Sequence, residues 1–309
     1  MKKLFLVLLI LFFMISYKTT SIARPRCSCN EDRILRYTNP PMYGEDVKEI
    51  QVQLKQLGFY DNQINGVYDK STAESVKDFQ KNERLPIDGV FGHKTLNKLA
   101  QIYEAPVSRL DDVKKPQGEI SIGIYAIERQ LVVFSDGEPY KSFPIAAGKF
   151  ETPTPIGLFT IIQKDAWGEG FGSRWMRLSV PWGVYGIHGT NKPWSIGGFE
   201  SAGCIRMHNN HVEQVYEWVD IGTKVFIIGG VDGPFTFGMN PLTQGSKGSD
   251  VVEVQKRLSG FGFYKGKFDG DYGLQTQEAV IAFQKAYGLD PSGNVDKATY
   301  EALGIVLFE

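Results

Sequence analysis

The sequence predicts three folded units: a mainly-β central domain held between two small modules of three helices each. Three observations carry that expectation. The first is an internal repeat, since residues 46–99 displaced by 204 positions fall on residues 250–303 without a gap. Two copies so far apart are separate modules rather than neighbouring turns of one solenoid. The second is a change of character between them. Over residues 117–230, short runs rich in Ile, Val, Phe and Tyr alternate with Gly, Pro and Asp turns. The third is length, because 309 residues at roughly 100–200 per domain suit two or three domains.

From the start of the chain, Lys2 and Lys3 precede an apolar run, Leu4 to Ile15, and Ser21-Ile22-Ala23 follows as a small-x-small site. That is the pattern of a secretory signal peptide, residues 1–23, cleaved after Ala23. The run falls short of the ~20 apolar residues of a spanning helix; an uncleaved anchor is the alternative. Residues 24–42 read as an N-terminal linker. Removing residues 1–23 removes Lys2, Lys3 and Lys18 and no acid, which takes the formal net charge from −1 to −4. No basic footprint of the kind nucleic-acid binders carry is present, so no nucleic-acid partner is expected.

The first module, residues 43–104, begins with Asp46 as the expected cap of a helix whose apolar positions are Val47, Ile50, Leu54 and Leu57. Gly58 stops it, and a turn runs through Asn65-Gly66. A second helix carries Ala73, Val76, Phe79 and Gln80, and a third runs from about Lys94 to Leu99. The second module, 244–306, repeats the plan with Val251, Val254, Leu258, then Ala279, Val280, Phe283, then Tyr300 and Leu303. Phe79 and Phe283 are expected in the core. Tyr60, Tyr68, Tyr264 and Tyr272 read as exposed loop aromatics able to stack on a sugar. His93 reads as a surface residue, because Lys297 takes its place in the second copy.

In the central domain, 117–230, the expected strands are Ile120–Ile127, Leu131–Ser135, Tyr140–Ala147, Gly157–Gln163, Trp175–Val180, Gly183–Ile187 and Lys224–Ile228. One helix is expected over Asn210–Val219. Linkers are expected at Ala105–Pro116 and Gly229–Gly245, where charged residues, Pro, Gly and Thr gather.

Chemistry concentrates in residues 187–207, IHGTNKPWSIGGFESAGCIRM. Three cysteines are too few for a disulfide scaffold. Cys27 and Cys29 sit together near the expected mature N-terminus, where they read as tail rather than metal site, and Cys204 stands alone. A lone thiol in an exported protein calls for an explanation. A cysteine acts as a nucleophile through its thiolate, and His188 is a base suited to take that proton. Arg206 alternates with Cys204, so on a strand both point to one side and the guanidinium can hold a substrate carboxylate. Gly203 is expected to leave amides facing a developing oxyanion. Thr190 and Ser201 either orient His188 or cap turns. The bland reading of Cys204 is an inert buried thiol. His208 and His211 form an H-x-x-H without an acidic or Cys cluster, so no metal or other cofactor is assigned. Trp175, Trp182, Trp194, Trp167, Arg174 and Arg177 are open between cleft and core.

The HGT and the later S-x-G-C-I-R-M resemble the signature of the L,D-transpeptidase (YkuD-type) catalytic domain, with His188 and Cys204 sixteen positions apart. Ala202 stands where many members carry a second His. The piece Ala147-Gly148 to Thr152-Pro153-Thr154-Pro155-Ile156-Gly157 is similar to that family's entry loop. The flanking modules resemble three-helix peptidoglycan-binding domains through L-G-F-Y, D-G-x-(F/Y)-G, T-x-x-A-V-x-x-F-Q and D-G-x-x-G-x-x-T. Copy one departs at Asn65 and Asp69, and copy two at Ser292.

The resemblance implies an exported, wall-associated peptidoglycan L,D-transpeptidase. Cys204 would be the nucleophile and His188 the general base and acid, with peptidoglycan stem peptides as donor and acceptor and no obligate protein partner. It would form 3-3 cross-links through a thioester and release D-Ala from tetrapeptide stems. An L,D-carboxypeptidase, a catalytically silent wall-binding protein and a zinc amidase using His208 and His211 are the alternatives.

Overall fold

The computed structural model describes residues 33–104, 114–166, 172–236 and 238–306. The expected signal peptide, Cys27, Cys29, part of each expected linker and Trp167 lie outside them. Among the described residues no helix is long and apolar enough to cross a membrane.

The first module contains β1 (Met42–Tyr43), α1 (Glu45–Gln56), β2 (Val67–Tyr68), α2 (Lys70–Asn82) and α3 (His93–Tyr103). Its helices turn Val47, Ile50, Leu54, Val76, Phe79 and Leu99 into one core, as their spacing requires. The cap of α1 is Gly44, not Asp46. Asp46 lies in the first turn instead, where its carboxylate accepts from the Arg33 Nε (2.5 Å) and the Val47 N–H (3.0 Å).

The repeated glutamines are structural brackets. The Gln51 amide donates to Thr72 Oγ1 and to the Val67 carbonyl, both at 3.0 Å, while its oxygen accepts from the N–H groups of Asn65 and Gly66. Gln80 holds the next turn in the same way through Thr95, Val90, Asp88 and Gly89. In the second module Gln255 and Gln284 repeat both brackets. A buried amide with every group paired fixes turn against helix without an orphaned donor.

The four tyrosines are not the exposed stacking faces expected. Tyr60, Tyr68, Tyr264 and Tyr272 are all buried. Their hydroxyls donate to the carbonyls of Gln63, Gly89, Lys267 and Gly293. Each ring fills the core while its one polar atom satisfies a turn. The D-G-x-(F/Y)-G pattern therefore encodes packing, not a sugar platform.

The central domain runs β3 (Ile120–Tyr125), β4 (Gln130–Ser135), β5 (Glu138–Pro144), β6 (Ala147–Gly148), β7 (Gly157–Ala166), β8 (Arg174–Leu178), β9 (Gly186–His188), β10 (Phe199–Ser201), β11 (Ile205–Arg206), α4 (Asn209–Trp218) and β12 (Lys224–Ile228). Eight strands form one sheet in the order β11-β9-β8-β7-β12-β3-β4-β5, and β6 pairs in parallel with β10 apart from it. Helix α4 lays Val212, Val215 and Trp218 on the sheet's core. The expected strand Tyr140–Ala147 is broken at Pro144: Ala146 bridges to Arg206 and Ala147 pairs with Phe199. That break carries the chain from the main sheet to the region of Cys204.

The second module holds α5 (Ser249–Gly260), α6 (Leu274–Ala286) and α7 (Lys297–Ala302). The expected Gly229–Gly245 linker is not a loose tether, because Phe235 and Leu242 are buried in this module's core. Both modules dock on the central domain. Ile156 donates its N–H to Ser249 Oγ (2.8 Å), and the Trp182 ring covers Gly270. On the other side Trp194 packs on the first module's core.

Replacing Gln51 by leucine orphans the buried Gly66 N–H, a loss of about 1–3 kcal/mol. Urea unfolding followed with a probe in each module should show the first module's transition move to lower denaturant and the second's stay in place.

Candidate functional site

Strand pairing assembles the site. β9 and β11 run parallel with Ile187 opposite Ile205 and His188 opposite Arg206, and β8 runs antiparallel to β9 with Trp175 opposite His188. Residues opposite one another on neighbouring strands share a face, so Trp175, His188 and Arg206 form one row. Cys204, two residues before Arg206, joins that face and packs against Trp175 in a small buried cluster. The Trp175 and His188 rings lie 5.7 Å apart between centroids. The indole thus touches both the candidate nucleophile and the candidate base.

The Nδ1 side of His188 is held by its own loop. Its Nδ1 lies 2.6 Å from the Gly189 carbonyl oxygen. A carbonyl only accepts, so this bond requires the proton on Nδ1 and leaves the ring's lone pair on Nε2. Thr190 does not orient the ring: its Oγ1 accepts from the Lys192 N–H at 3.0 Å, and its carbonyl accepts from Asn209 Nδ2 at 2.8 Å. It caps a turn.

Ser201 likewise bonds elsewhere. Its Oγ donates to the Cys204 carbonyl (2.5 Å) and accepts from the Gly203 N–H (3.1 Å). The Gly203 amide is therefore committed to Ser201 rather than turned toward an oxyanion, which corrects the expectation for that group. What Gly203 supplies is shape. Its φ of +105° lies in the region few side chains enter, and a Cβ there would stand 2.6 Å from Tyr185 Cε1. The Ser201 carbonyl is anchored in turn by the Lys149 N–H (3.0 Å) and Thr152 Oγ1 (3.2 Å), so the 149–155 loop braces the same turn.

Arg206 is half-buried, and among the described residues no group accepts a hydrogen bond or ion pair from its guanidinium. A charge placed in that row without a partner suits an anionic ligand group. Cys204 and His188 are both buried, at 0 % and 2 % exposure.

Several residues at the site carried no sequence signal. Trp175 was indistinguishable from the other tryptophans. Asn209 ties the start of α4 to both sides of the His188 loop, accepting from the Ser173 N–H (3.0 Å) and donating to Thr190. Arg174 does not join the row but lies over Tyr216, 5.3 Å from the ring centroid, whereas Arg177, opposite Gly186 and two residues after Trp175, falls on the row's face by strand alternation. His208 and His211 meet edge to face, with centroids 5.3 Å apart, and His211 also rests on Phe143. Burial, then His208, then Lys141 push the His211 imidazole down to about 4. A shallow cleft lies at the junction with the first module rather than over Cys204, bordered by Glu49, Lys192 and Trp194.

Residues 122–227 match the model of the L,D-transpeptidase catalytic domain, and residues 43–99 and 247–303 each match the model described as "Putative peptidoglycan binding domain". Curated proteins similar to this chain include the "Putative L,D-transpeptidase YkuD" of Bacillus subtilis. It is 44 % identical over 109 residues, 35 % of this chain and 63 % of that protein. The protein of the same name from Bacillus licheniformis is 45 % identical over 100 residues, 32 % and 59 % of the two chains. The chain thus spans about three-fifths of the length of these relatives. A crystal structure of an L,D-transpeptidase (residues 123–326) from Xylanimonas cellulosilytica covers 64 % of this chain and 100 % of that one, at 23 % identity and a TM-score of 0.30. Overlap of that quality says nothing about function.

Two measurements follow from the geometry. Gly203→Ala should destabilise the chain by about 1–3 kcal/mol in urea unfolding, because the backbone strain and the Tyr185 clash act together. The second concerns acid. Because the folded His211 binds its proton only near pH 4, the unfolded chain holds more protons between its usual 6.5 and that value. Stability therefore falls as pH falls through that window. His211→Phe keeps the ring against Phe143, and its melting temperature should drop less than the parent's between about pH 7 and pH 4.5.

Proposed function

From a chain that carries an L,D-transpeptidase catalytic domain between two peptidoglycan-binding modules, we propose an exported enzyme that exchanges peptide bonds in peptidoglycan through a Cys204 thioester. The observation that carries this reading is the row Trp175, His188, Arg206 with Cys204 packed against it on the same face.

Cys204 Sγ attacks the carbonyl carbon of the amide between the third stem residue and the terminal D-Ala, and its proton passes to His188 Nε2. The C–N bond breaks, His188 returns the proton to the departing amine, and D-Ala leaves. The amine of a neighbouring stem then attacks the thioester, the C–S bond breaks, and the thiol is regenerated. The product is a cross-link between third residues; water in place of the amine gives a carboxypeptidase outcome. The cleaved amide drives the exchange, so no nucleotide is consumed. Arg206 holds a stem carboxylate, and the Ser201 bracket keeps the Gly203–Cys204 turn in the shape the attack needs. The flanking modules keep polymer near the site.

A second reading is a wall-binding protein with a silent centre, and the full burial of Cys204 favours it. Incubation of the purified chain with a disaccharide-tetrapeptide separates the two. The enzyme reading expects D-Ala release that Cys204→Ala abolishes and His188→Gln lowers by about 100-fold or more. Mass spectrometry of the product reports dimer for transfer and tripeptide for hydrolysis. A folded parent chain that releases no D-Ala supports the silent binder.

A further inference from the structure

We propose that Glu49, on α1 of the first module, is a positioning residue for the Cys204 site, so that this module completes the catalytic domain as well as binding polymer. The proposal rests on the enzyme reading given above for its kinetic arm. One Glu49 oxygen lies 2.6 Å from Lys192 Nζ, and the other accepts from Trp194 Nε1 at 2.8 Å. Both partners sit in the loop that joins His188 to Cys204. The carboxylate is only partly exposed, as is the Lys192 ammonium. In that setting a charge-assisted pair is stronger than an isolated surface ion pair. The Trp194 ring adds an edge-to-face contact with Tyr103, 5.6 Å between centroids.

From this clamp, bonded contacts run both ways. Backward, the Lys192 N–H holds Thr190 Oγ1, two residues from His188. Forward, Ser195 bonds back to Lys192, the Gly197 N–H donates to Ile145, and the Gly198 carbonyl accepts from Ala147 as the loop enters β10. β10 ends at Ser201, whose hydroxyl brackets Gly203 and Cys204. A second carboxylate of the same module, Glu104, accepts from the Asn209 N–H at 2.8 Å, at the start of α4. Asn209 in turn holds Thr190. The module therefore grips the His188 side and the Cys204 side of one loop.

The internal repeat supplies a comparison within the chain. The residue equivalent to Glu49 in the second module is Glu253, and its carboxylate pairs with Arg257 one turn along its own helix (2.8 Å). The module fold thus leaves this position free to bond locally. In the first module it reaches across to the catalytic domain instead.

The test uses the full chain and four variants: Glu49→Ala, Glu253→Ala, the double variant Lys192→Met with Trp194→Phe, and the triple combination with Glu49→Ala. D-Ala release from a soluble disaccharide-tetrapeptide should show kcat lower by about ten-fold in Glu49→Ala with KM little changed, since a loop displaced by a fraction of an ångström loses alignment rather than binding. Glu253→Ala should match the parent. The triple variant should be no slower than Glu49→Ala, because the carboxylate acts through those two partners. In parallel, the alkylation rate of Cys204 by iodoacetamide should rise several-fold in Glu49→Ala at an unchanged melting temperature. A kcat within two-fold of the parent, an additive triple variant, or an equal loss in Glu253→Ala overturns the proposal. If the parent itself releases no D-Ala, the enzyme reading fails on its own, and the alkylation rate decides: an unchanged rate overturns the positioning role and a raised one sustains it.

Discussion

Everything at this site depends on the register between β9 and β11. Side chains alternate along a strand, so a slip of one residue would send Arg206 and Cys204 into the core and bring Ile205 to the face of His188. Two pairs of residues are few to hold a register. Buried Ile187 and Ile205 fix the opposite face, and the Ala146–Arg206 bridge ties β11 from its other edge. The Met207 N–H also donates to the His188 carbonyl at 2.8 Å. The hydrophobic pattern I-x-M after the cysteine is thus what sets which side chains share the face of His188.

Much of this was legible in the sequence because it is written in spacing. The 204-residue repeat gave two modules, and the alternating runs gave most strands of the central sheet. Cys204 and His188 stood out by residue type within a glycine-rich stretch. Where sequence reading failed, it misjudged how aromatic rings sit in turns. Tyrosines in a turn-rich segment look exposed, yet the Tyr68 and Tyr272 hydroxyls each find a backbone carbonyl, so the rings can be buried without an orphaned donor. Small polar residues near a histidine can either orient it or cap turns; Thr190 and Ser201 bond backbone groups close along the chain. Local backbone bonds outcompete a side chain that requires a long-range approach.

Strands β10 and β11 were missed for a related reason. With three and two residues, they carry no periodicity that a window could detect. They exist because β6 and β9 offer them edges, which is a tertiary cause. The same is true of Asn209 and Glu49, whose roles arise from what the fold brings beside them.

The docked modules change what tethering means in this chain. Binders joined by flexible linkers raise local concentration but leave orientation free. Here the second module bonds Ile156 and covers itself with Trp182, while the first holds Lys192 and Trp194. Both contacts fall on loops that lead directly to the Gly203 turn. The 153–156 segment places the Pro153 carbonyl 3.2 Å from where a Gly203 Cβ would lie, and the 192–198 segment feeds β10. A ligand held by either module would therefore meet the central domain from a fixed direction. Under the function proposed above, the cost of ordering a stem beside Cys204 is then met in folding, once, rather than at each encounter.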